Sequence, residues 1–194
     1  MTDLDPPYIH PQALCESNSI GAGTRVWAFS HVMQGAAVGE RCNICDHAFI
    51  ESGAVVGDGV TVKNNVLLWD GVTIEDDVFL GPNVVFTNDP NPRAAIKKQT
   101  GELAKTLVRR GATVGANSTV VCGIVIGEHS FIGAGSVVTS DVASFALSYG
   151  NPARRHGWIC ICGLRLDVTL RCSCGRTYRE TAEANLVLDP SGQS

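Results

Sequence analysis

Aromatic side chains are scarce, at 6% of the chain, although hydrophobic residues together reach 44%. A helical or doubly wound core would normally hold more Leu and Phe. Here the apolar weight lies in Val, Ile and Ala beside 21 glycines, which suits short strands and tight corners. Basic charge is lacking too: the formal net charge is -4, which argues against a general nucleic-acid binder. No apolar run approaches the roughly 20 residues of a membrane-spanning helix, so no membrane insertion is expected. Met1 to Tyr8 is acidic and holds prolines, with no basic start and no apolar core, so no signal peptide is expected and the expected compartment is cytoplasmic. The chain has 194 residues, enough for one well-buried domain and a small appendage. Its eight cysteines, without a secretory signal, are expected as thiols or metal ligands.

What the chain does have is a period of six. Leu14, Ile20, Val26, Val32, Val38, Ile44, Ile50, Val56, Val62, Leu68, Ile74, Leu80 and Phe86 are evenly spaced and all apolar. The phase is then lost and returns at Val108, Val114, Val120, Ile126, Ile132 and Val138. Two residues before the anchor the side chain is usually small or β-branched, as at Thr24, Ser30, Ala36, Cys42, Ala48 and Val60. Glycine often follows the anchor, as at Gly21, Gly39, Gly57, Gly81, Gly115, Gly127 and Gly133, where a sharp turn of the backbone is expected. Neither a helix of period 3.6 nor a strand of period 2 keeps such a register. The pattern predicts a triangular coil in which each hexad makes one short strand and one corner. Three hexads close a turn, so residues eighteen apart stack, and the two runs amount to roughly six coils.

Three segments stand outside the repeat. Residues 87–107 interrupt it with Pro90, Pro92, Arg93, Lys97, Lys98 and Lys105, a loop expected to project near the functional site. After residue 157, Cys160–Ile161–Cys162–Gly163 and Cys172–Ser173–Cys174–Gly175 form a pair of motifs. Facing each other, Cys160, Cys162, Cys172 and Cys174 would give the tetrahedral thiolate set favoured by zinc, in a zinc-ribbon-like unit over 158–180. Two disulfides or free thiols are the alternatives. Residues 181–194 carry no repeat and are expected to be weakly ordered. The organisation expected is thus a β-helix over 1–157, the cysteine motif, and a tail.

Several stretches resemble the bacterial nucleotide-sugar 3-N-acetyltransferases of the hexapeptide-repeat type. They are the segment from Gly23 to Val32, Leu68–Trp69–Asp70–Gly71, the segment from Glu75 to Asn83, and Phe86–Thr87–Asn88–Asp89–Pro90. Gly150–Asn151–Pro152–Ala153–Arg154 is shared with many hexapeptide transferases. The resemblance implies a left-handed parallel β-helix, a homotrimer with sites between subunits, and acetyl-CoA as co-substrate. It implies as acceptor the 3-amino group of a nucleotide-linked amino sugar. Asn88–Asp89 and Trp69–Asp70–Gly71 lean toward a branch acting on dTDP-linked 3-amino-3,6-dideoxyhexoses. Asn91–Pro92–Arg93–Ala94 and Gly157–Trp158 lean toward a branch acting on UDP-linked 2-acetamido-3-amino glucuronic acid.

Chemistry is expected first at Asp70 and Asn88, eighteen apart and so in one column, where a carboxylate under an amide could hold an amine. Asp89 follows at the mouth of the loop. His47 is the histidine tested as a base, although the resemblance implies direct attack by the free amine, with the leaving CoA sulfur taking the proton. The resemblance also implies substrate contacts from Arg25, His31, Trp69 and Asn83, and CoA contacts along Gly115, Gly133 and Ala134. Arg109, Arg110, Arg154 and Arg155 are candidates for the CoA phosphates. A histidine-dependent O-acetyltransferase is the main rival. A carbonic anhydrase of the same fold would need His31, His47 and His129 to meet at a subunit interface, and a non-catalytic scaffold is the third possibility.

Overall fold

Because each hexad alternates an inward small residue, an outward residue and an inward anchor, the chain folds as very short strands separated by corners. The computed structural model describes residues 5–99, 101–181 and 185–189, and among these no helix forms. The strands stack into three faces of a parallel solenoid. The first face runs through Tyr8–Ile9, Arg25–Val26, Asn43–Ile44, Thr61–Val62, Phe79–Leu80, Thr113–Val114 and Phe131–Ile132, then Ala146–Gly150 and Ala153–Trp158. The second stacks Leu14–Cys15, His31–Val32, Phe49–Ile50, Leu67–Leu68, Val85–Phe86, Thr119–Val120 and Val137–Val138. The third stacks Ala37–Val38, Val55–Val56, Val72–Ile74, Thr106–Val108 and Val125–Ile126.

Inside the prism, Val26, Val32, Ile44, Ile50, Val62, Leu68, Leu80, Val114 and Ile132 are fully buried. Each such anchor contributes about 1.5–3 kcal/mol through the area it removes from water. The small position two before the anchor is equally buried, and at Thr24 and Ser30 its hydroxyl bonds across the corner, whereas the buried Ser130 hydroxyl has no partner among the described residues. Thr24 Oγ1 donates to the Gly39 carbonyl at 2.7 Å, and Ser30 Oγ donates to the Cys45 carbonyl at 2.8 Å. These hydroxyls satisfy corner carbonyls that would otherwise be buried without a donor.

Register locates the irregularities. Phe79 pairs with Thr61 on one side and Thr113 on the other, offsets of 18 and 34, so the insertion adds 34 − 18 = 16 residues to one coil. The insertion is shorter than expected at its far end, since Thr106 and Leu107 already pair with Val72 and Thr73 on the third face. Thr106 is buried because it fills the small inward position ahead of Val108. At the other end of the molecule, Leu14 pairs with His31 and Cys15 with Val32, an offset of 17. The first turn is one residue short, so Cys15 takes the anchor register and Leu14 points outward, 54% exposed. The second face carries seven strands and the third five, in keeping with roughly six coils.

The glycines after the anchors answer to stacking and not to the turn. A Cβ on Gly115 would lie 2.5 Å from Ala134 N and 2.7 Å from the Ile132 carbonyl of the next coil. The positive φ of these corners falls two residues later, as at Asn117.

The C-terminal boundary also moves. A strand spans Ala153–Trp158, folded back antiparallel on Ala146–Gly150, so residue 157 is inside an element. Trp158, Cys160, Leu166, Cys172, Tyr178 and Leu186 belong to the same hydrophobic core as the solenoid anchors. Of the stretch expected to be weakly ordered, Leu186–Asp189 pairs antiparallel with Thr177–Glu180, an arrangement that buries Leu186. Residues 182–184 and 190–194 lie outside the described residues.

Candidate active site and cysteine cluster

At the corner between the second and third faces, Trp69–Asp70–Gly71 of one coil lies under Thr87–Asn88 of the next, where the insertion leaves the prism. Asn88 Nδ2 donates to the backbone carbonyl of Asp70 at 3.4 Å, which fixes the column. The amide thus meets the Asp70 main chain, not its carboxylate. Asp70 N–H donates to Glu51 Oε2 at 2.7 Å. The carboxylate of Asp70 lies over Gly53, where any Cβ would collide with it and where φ is +88°. Among the described residues, neither Asp70 carboxylate oxygen nor Asn88 Oδ1 has a hydrogen-bond partner. Both residues are half-buried. The corner therefore carries two acceptors on adjacent coils, open to whatever brings N–H or O–H donors.

Asp89 is differently placed. Its carboxylate accepts from Lys98 Nζ and, at 2.8 Å, from Asn91 N–H. The Lys98 ammonium is the main cause holding Asp89 below the usual carboxylate range. These bonds clip the insertion closed at its root. Ala104 N–H donates to the Asn88 carbonyl and Thr106 N–H to the Gly71 carbonyl, so both ends of the loop rest on the corner.

Trp69 and His31 join this corner through a residue the sequence did not single out. Phe49 packs its ring on Trp69 at 5.5 Å and on His31 at 5.3 Å. Trp69 Nε1 donates to the Phe86 carbonyl at 2.9 Å, and His31 Nε2 lies 3.1 Å from Glu16 Oε2. Phe49, Glu51 and Lys98 complete the corner. Phe49 was discoverable, being an aromatic at an outward position eighteen after His31; Glu51 and Lys98 carry no comparable signal.

His47, Asn83 and Arg25 are elsewhere in the chain. His47 and Asn83 belong to the corner between the first and second faces, both with positive φ. Asn65 Nδ2 donates to Asn83 Oδ1 at 3.0 Å, and Asn83 Nδ2 donates to Asn117 Oδ1 at 3.1 Å. His47 stacks on Phe29 at 5.1 Å. Arg25 is on the first face, lining a groove of about 600 Å³ with Trp27, Arg41 and Lys63. His129 sits at the third corner against Phe145, and burial is the main cause lowering its pKa. Within one chain His31, His47 and His129 thus occupy one face and two different corners.

At the C-terminal end, Arg109, Arg154 and Arg155 line one cavity of about 720 Å³ together with Asp141, Ser144 and Asn185. Arg155 also lies 4.2 Å over the Trp158 ring. Arg110 is turned toward Asp77, at 3.7 Å. Gly115, Gly133 and Ala134 lie on the first-to-second corner and do not line that cavity. A Cβ on Gly133 would lie 2.8 Å from Tyr149 Cβ, so Tyr149 already fills the space a side chain would need there.

The four C-terminal cysteines do converge: Cys160, Cys162, Cys172 and Cys174 place their sulfurs within 4.8 Å of one another. Cys160 Sγ is 3.6 Å from Cys174 Sγ, and Cys162 Sγ is 3.5 Å from Cys172 Sγ. All four are free thiols. Hydrogen bonding, led by the Arg176 backbone N–H, lowers Cys174 to about 6. Among the described residues this is the one group of side chains able to hold a metal ion.

Comparison with known proteins follows the same boundaries. The family described as bacterial transferase hexapeptide (six repeats) matches residues 53–88 and 105–140. The hexapeptide repeat of succinyl-transferase matches 33–69. The dTDP-3-amino-3,6-dideoxy-alpha-D-galactopyranose 3-N-acetyltransferase of Aneurinibacillus thermoaerophilus is 50% identical over 175 residues, covering 89% of this chain and 90% of that one. The chain belongs to the bacterial hexapeptide-repeat transferases. Bifunctional protein GlmU of Nitratidesulfovibrio vulgaris is 31% identical over 161 residues, but this chain spans only 35% of its length. A hexapeptide-repeat acetyltransferase from Vibrio cholerae, complexed with acetyl coenzyme A, has a TM-score of 0.50 and 26% identity over 63% of this chain and 67% of that one.

As a hexapeptide-repeat transferase, the chain keeps the family's repeat up to residue 88 and resumes it at 105. The insertion between them and the cysteine cluster are additions to that repeat. No helix among the described residues is long and apolar enough to cross a membrane.

Proposed function

We propose that this transferase moves the acetyl group of acetyl-CoA to the 3-amino group of a nucleotide-linked amino sugar, with a dTDP-linked 3-amino-3,6-dideoxyhexose as the first acceptor and a UDP-linked 3-amino sugar as the second. The observation carrying this reading is the pair of acceptors without a partner among the described residues, the Asp70 carboxylate and Asn88 Oδ1, at the root of the insertion. Support comes from the 50% identical relative, whose name specifies that amine. A neutral amine offers two N–H donors to these acceptors and keeps its lone pair free for the thioester carbonyl. The departing CoA sulfur takes the proton, so no side-chain base is needed. Asp89 closes the loop beside the amine through Lys98. Arg109, Arg154 and Arg155 would meet the CoA phosphates, and Arg25, His31 and Trp69 would contact the sugar nucleotide, while Asn83 is already engaged by Asn65 and Asn117. Arg25 and Asp70 lie on different parts of one chain, which fits a site shared between subunits of a homotrimer. To the cysteine cluster we assign one structural zinc, since four thiolates leave no position open for chemistry.

One observation favours a second reading. His31 pairs with Glu16 beside Phe49, an arrangement able to orient an imidazole as a base toward a hydroxyl acceptor. Release of CoA, measured against a panel of dTDP- and UDP-linked sugars carrying either an amine or a hydroxyl at C3, decides between them. Turnover confined to the amines supports N-acetyl transfer. Turnover of the hydroxyl sugars, lost in His31→Asn, would replace it.

A further inference from the structure

The last coil of a solenoid has no following coil to bury its anchors, and it must be closed by something else. Here the closure is the cysteine-bearing extension. Trp158, Cys160, Leu166, Cys172, Tyr178 and Leu186 continue the core beyond Val142 and Ala146. Yet between the strand ending at Trp158 and the one starting at Thr177, the chain has only isolated bridges, Ile159 to Arg165 and Arg171 to Thr177. So small an irregular segment holds its shape poorly without a cross-link.

The geometry for such a link is present. Tetrahedral zinc with Zn–S of about 2.3 Å requires sulfur–sulfur edges of about 3.8 Å. The two cross pairs are 3.6 and 3.5 Å, far beyond a disulfide bond of about 2.05 Å. Both motifs are built alike. Gly163 N–H donates to the Cys160 carbonyl and Gly175 N–H to the Cys172 carbonyl, with φ of +87° and +93° at the two glycines. In each, the N–H of the second cysteine points at the sulfur of the first, at 3.5 Å. Arg176 Nη1 approaches Cys174 Sγ at 3.3 Å, and Tyr178 O–H donates to Cys160 Sγ at 3.1 Å. Donors arranged around Cys160, Cys172 and Cys174 suit thiolates bound to a cation better than neutral thiols.

From this cluster a short chain of contacts leads to the arginine-lined cavity. The Tyr178 ring packs on Phe145 at 5.3 Å. Thr181 N–H donates to the Asn185 carbonyl, and Ser144 N–H donates to Asn185 Oδ1 at 3.0 Å. Ser144 and Asn185 are both walls of the cavity that holds Arg109, Arg154 and Arg155.

We infer that the four cysteines bind one zinc ion that staples the C-terminal hairpin over the open end of the solenoid, so that the shape of the arginine-lined cavity, and with it affinity for the acyl donor, depends on metal occupancy. This rests on the structural zinc and on acetyl-CoA as donor, and the test separates the three. Full-length protein purified without added metal should contain about one zinc per chain by elemental analysis. Cys162→Ser together with Cys174→Ser removes only the two exposed ligands and keeps the buried Cys160 and Cys172. The double variant should lose zinc, show faster amide exchange at Ser144 and Tyr178 but not at Val62 or Leu68, and bind CoA several-fold more weakly. Tyr178→Phe should keep the zinc and give a smaller change in exchange at the same amides. Iron, or no metal, in the purified protein overturns the inference. So does loss of zinc with unchanged exchange at Ser144. Wild-type protein that fails to bind CoA sinks the donor reading alone, while metal content and exchange still decide the staple.

Discussion

At the corner between the first and second faces, Asn65, Asn83 and Asn117 hydrogen-bond to one another, and His47 stacks on Phe29 below them. At the corner between the second and third faces, Asp70 and Asn88 also form a column, but their side-chain acceptors face no donor among the described residues. Both corners arise from the same repeat and stack at the same spacing. One column satisfies itself because consecutive coils carry compatible side chains in the same left-handed backbone position. The other is broken by the insertion, which replaces the next corner with a loop and leaves the acceptors open. A periodic column of polar residues is thus a stabilising device, and function is to be sought where the period fails.

The strongest way to break this comparison is Asn88→Ala. If the open column orients the acceptor amine, kcat/KM for the amino sugar should fall about 10²-fold, as misplacement of a reacting group does. Asn88 buries little apolar surface and its bond to Asp70 is long, so the melting temperature should barely move. A variant with wild-type turnover would remove the open column from the mechanism. Asp70→Asn should cost less, about tenfold in kcat/KM, because the amide keeps one acceptor while turning a donor toward the amine. An Asp70→Asn variant as fast as wild type would show that its carboxylate does not meet the amine.

The closed column predicts the reverse pattern. In Asn83→Ala, an alanine must adopt φ near +59°, which costs about 1 kcal/mol, and two ladder bonds are lost. The expected result is a melting temperature lower by several degrees, about 2–4 °C for each kcal/mol in a chain this long, with turnover nearly unchanged. Loss of turnover without loss of stability would instead make Asn83 the sugar-nucleotide contact that the family resemblance implies.

The solenoid was legible because its period is redundant: each anchor, such as Val62 or Leu80, repeats the same instruction, so no single position has to carry it. The stacking of Asn88 on Asp70 followed from the period alone. Three features did not follow. The one-residue deficit in the first turn hides in the sequence, since Leu14 and Cys15 are both acceptable anchors and only pairing with His31 and Val32 decides. The end of the insertion is masked in the sequence because Thr106 is polar, although buried hydroxyls serve the same position at Thr24 and Ser30. The role of Asp89 depended on Lys98, nine residues away in a loop without a period, and no pattern predicts that ion pair.

His47→Asn is expected to have the smallest effect and sharpens the comparison most cleanly. His47 occupies a position with φ of +60°, shared with Asn65, Asn83 and Asn117, and asparagine tolerates that conformation better than most residues. The substitution would extend the ladder by one member. What it removes is the stack on Phe29, which is worth about 0.5–1.5 kcal/mol beyond burial and less at so exposed a position. Turnover of the amine acceptor should stay within about twofold, since direct attack by a neutral amine uses no histidine base. The measurement is kcat/KM beside a thermal melt. A folded but inactive His47→Asn, beside an active Asn88→Ala, would exchange the roles of the two corners: the closed column would hold the chemistry, and the open one would be no more than the seat of a loop.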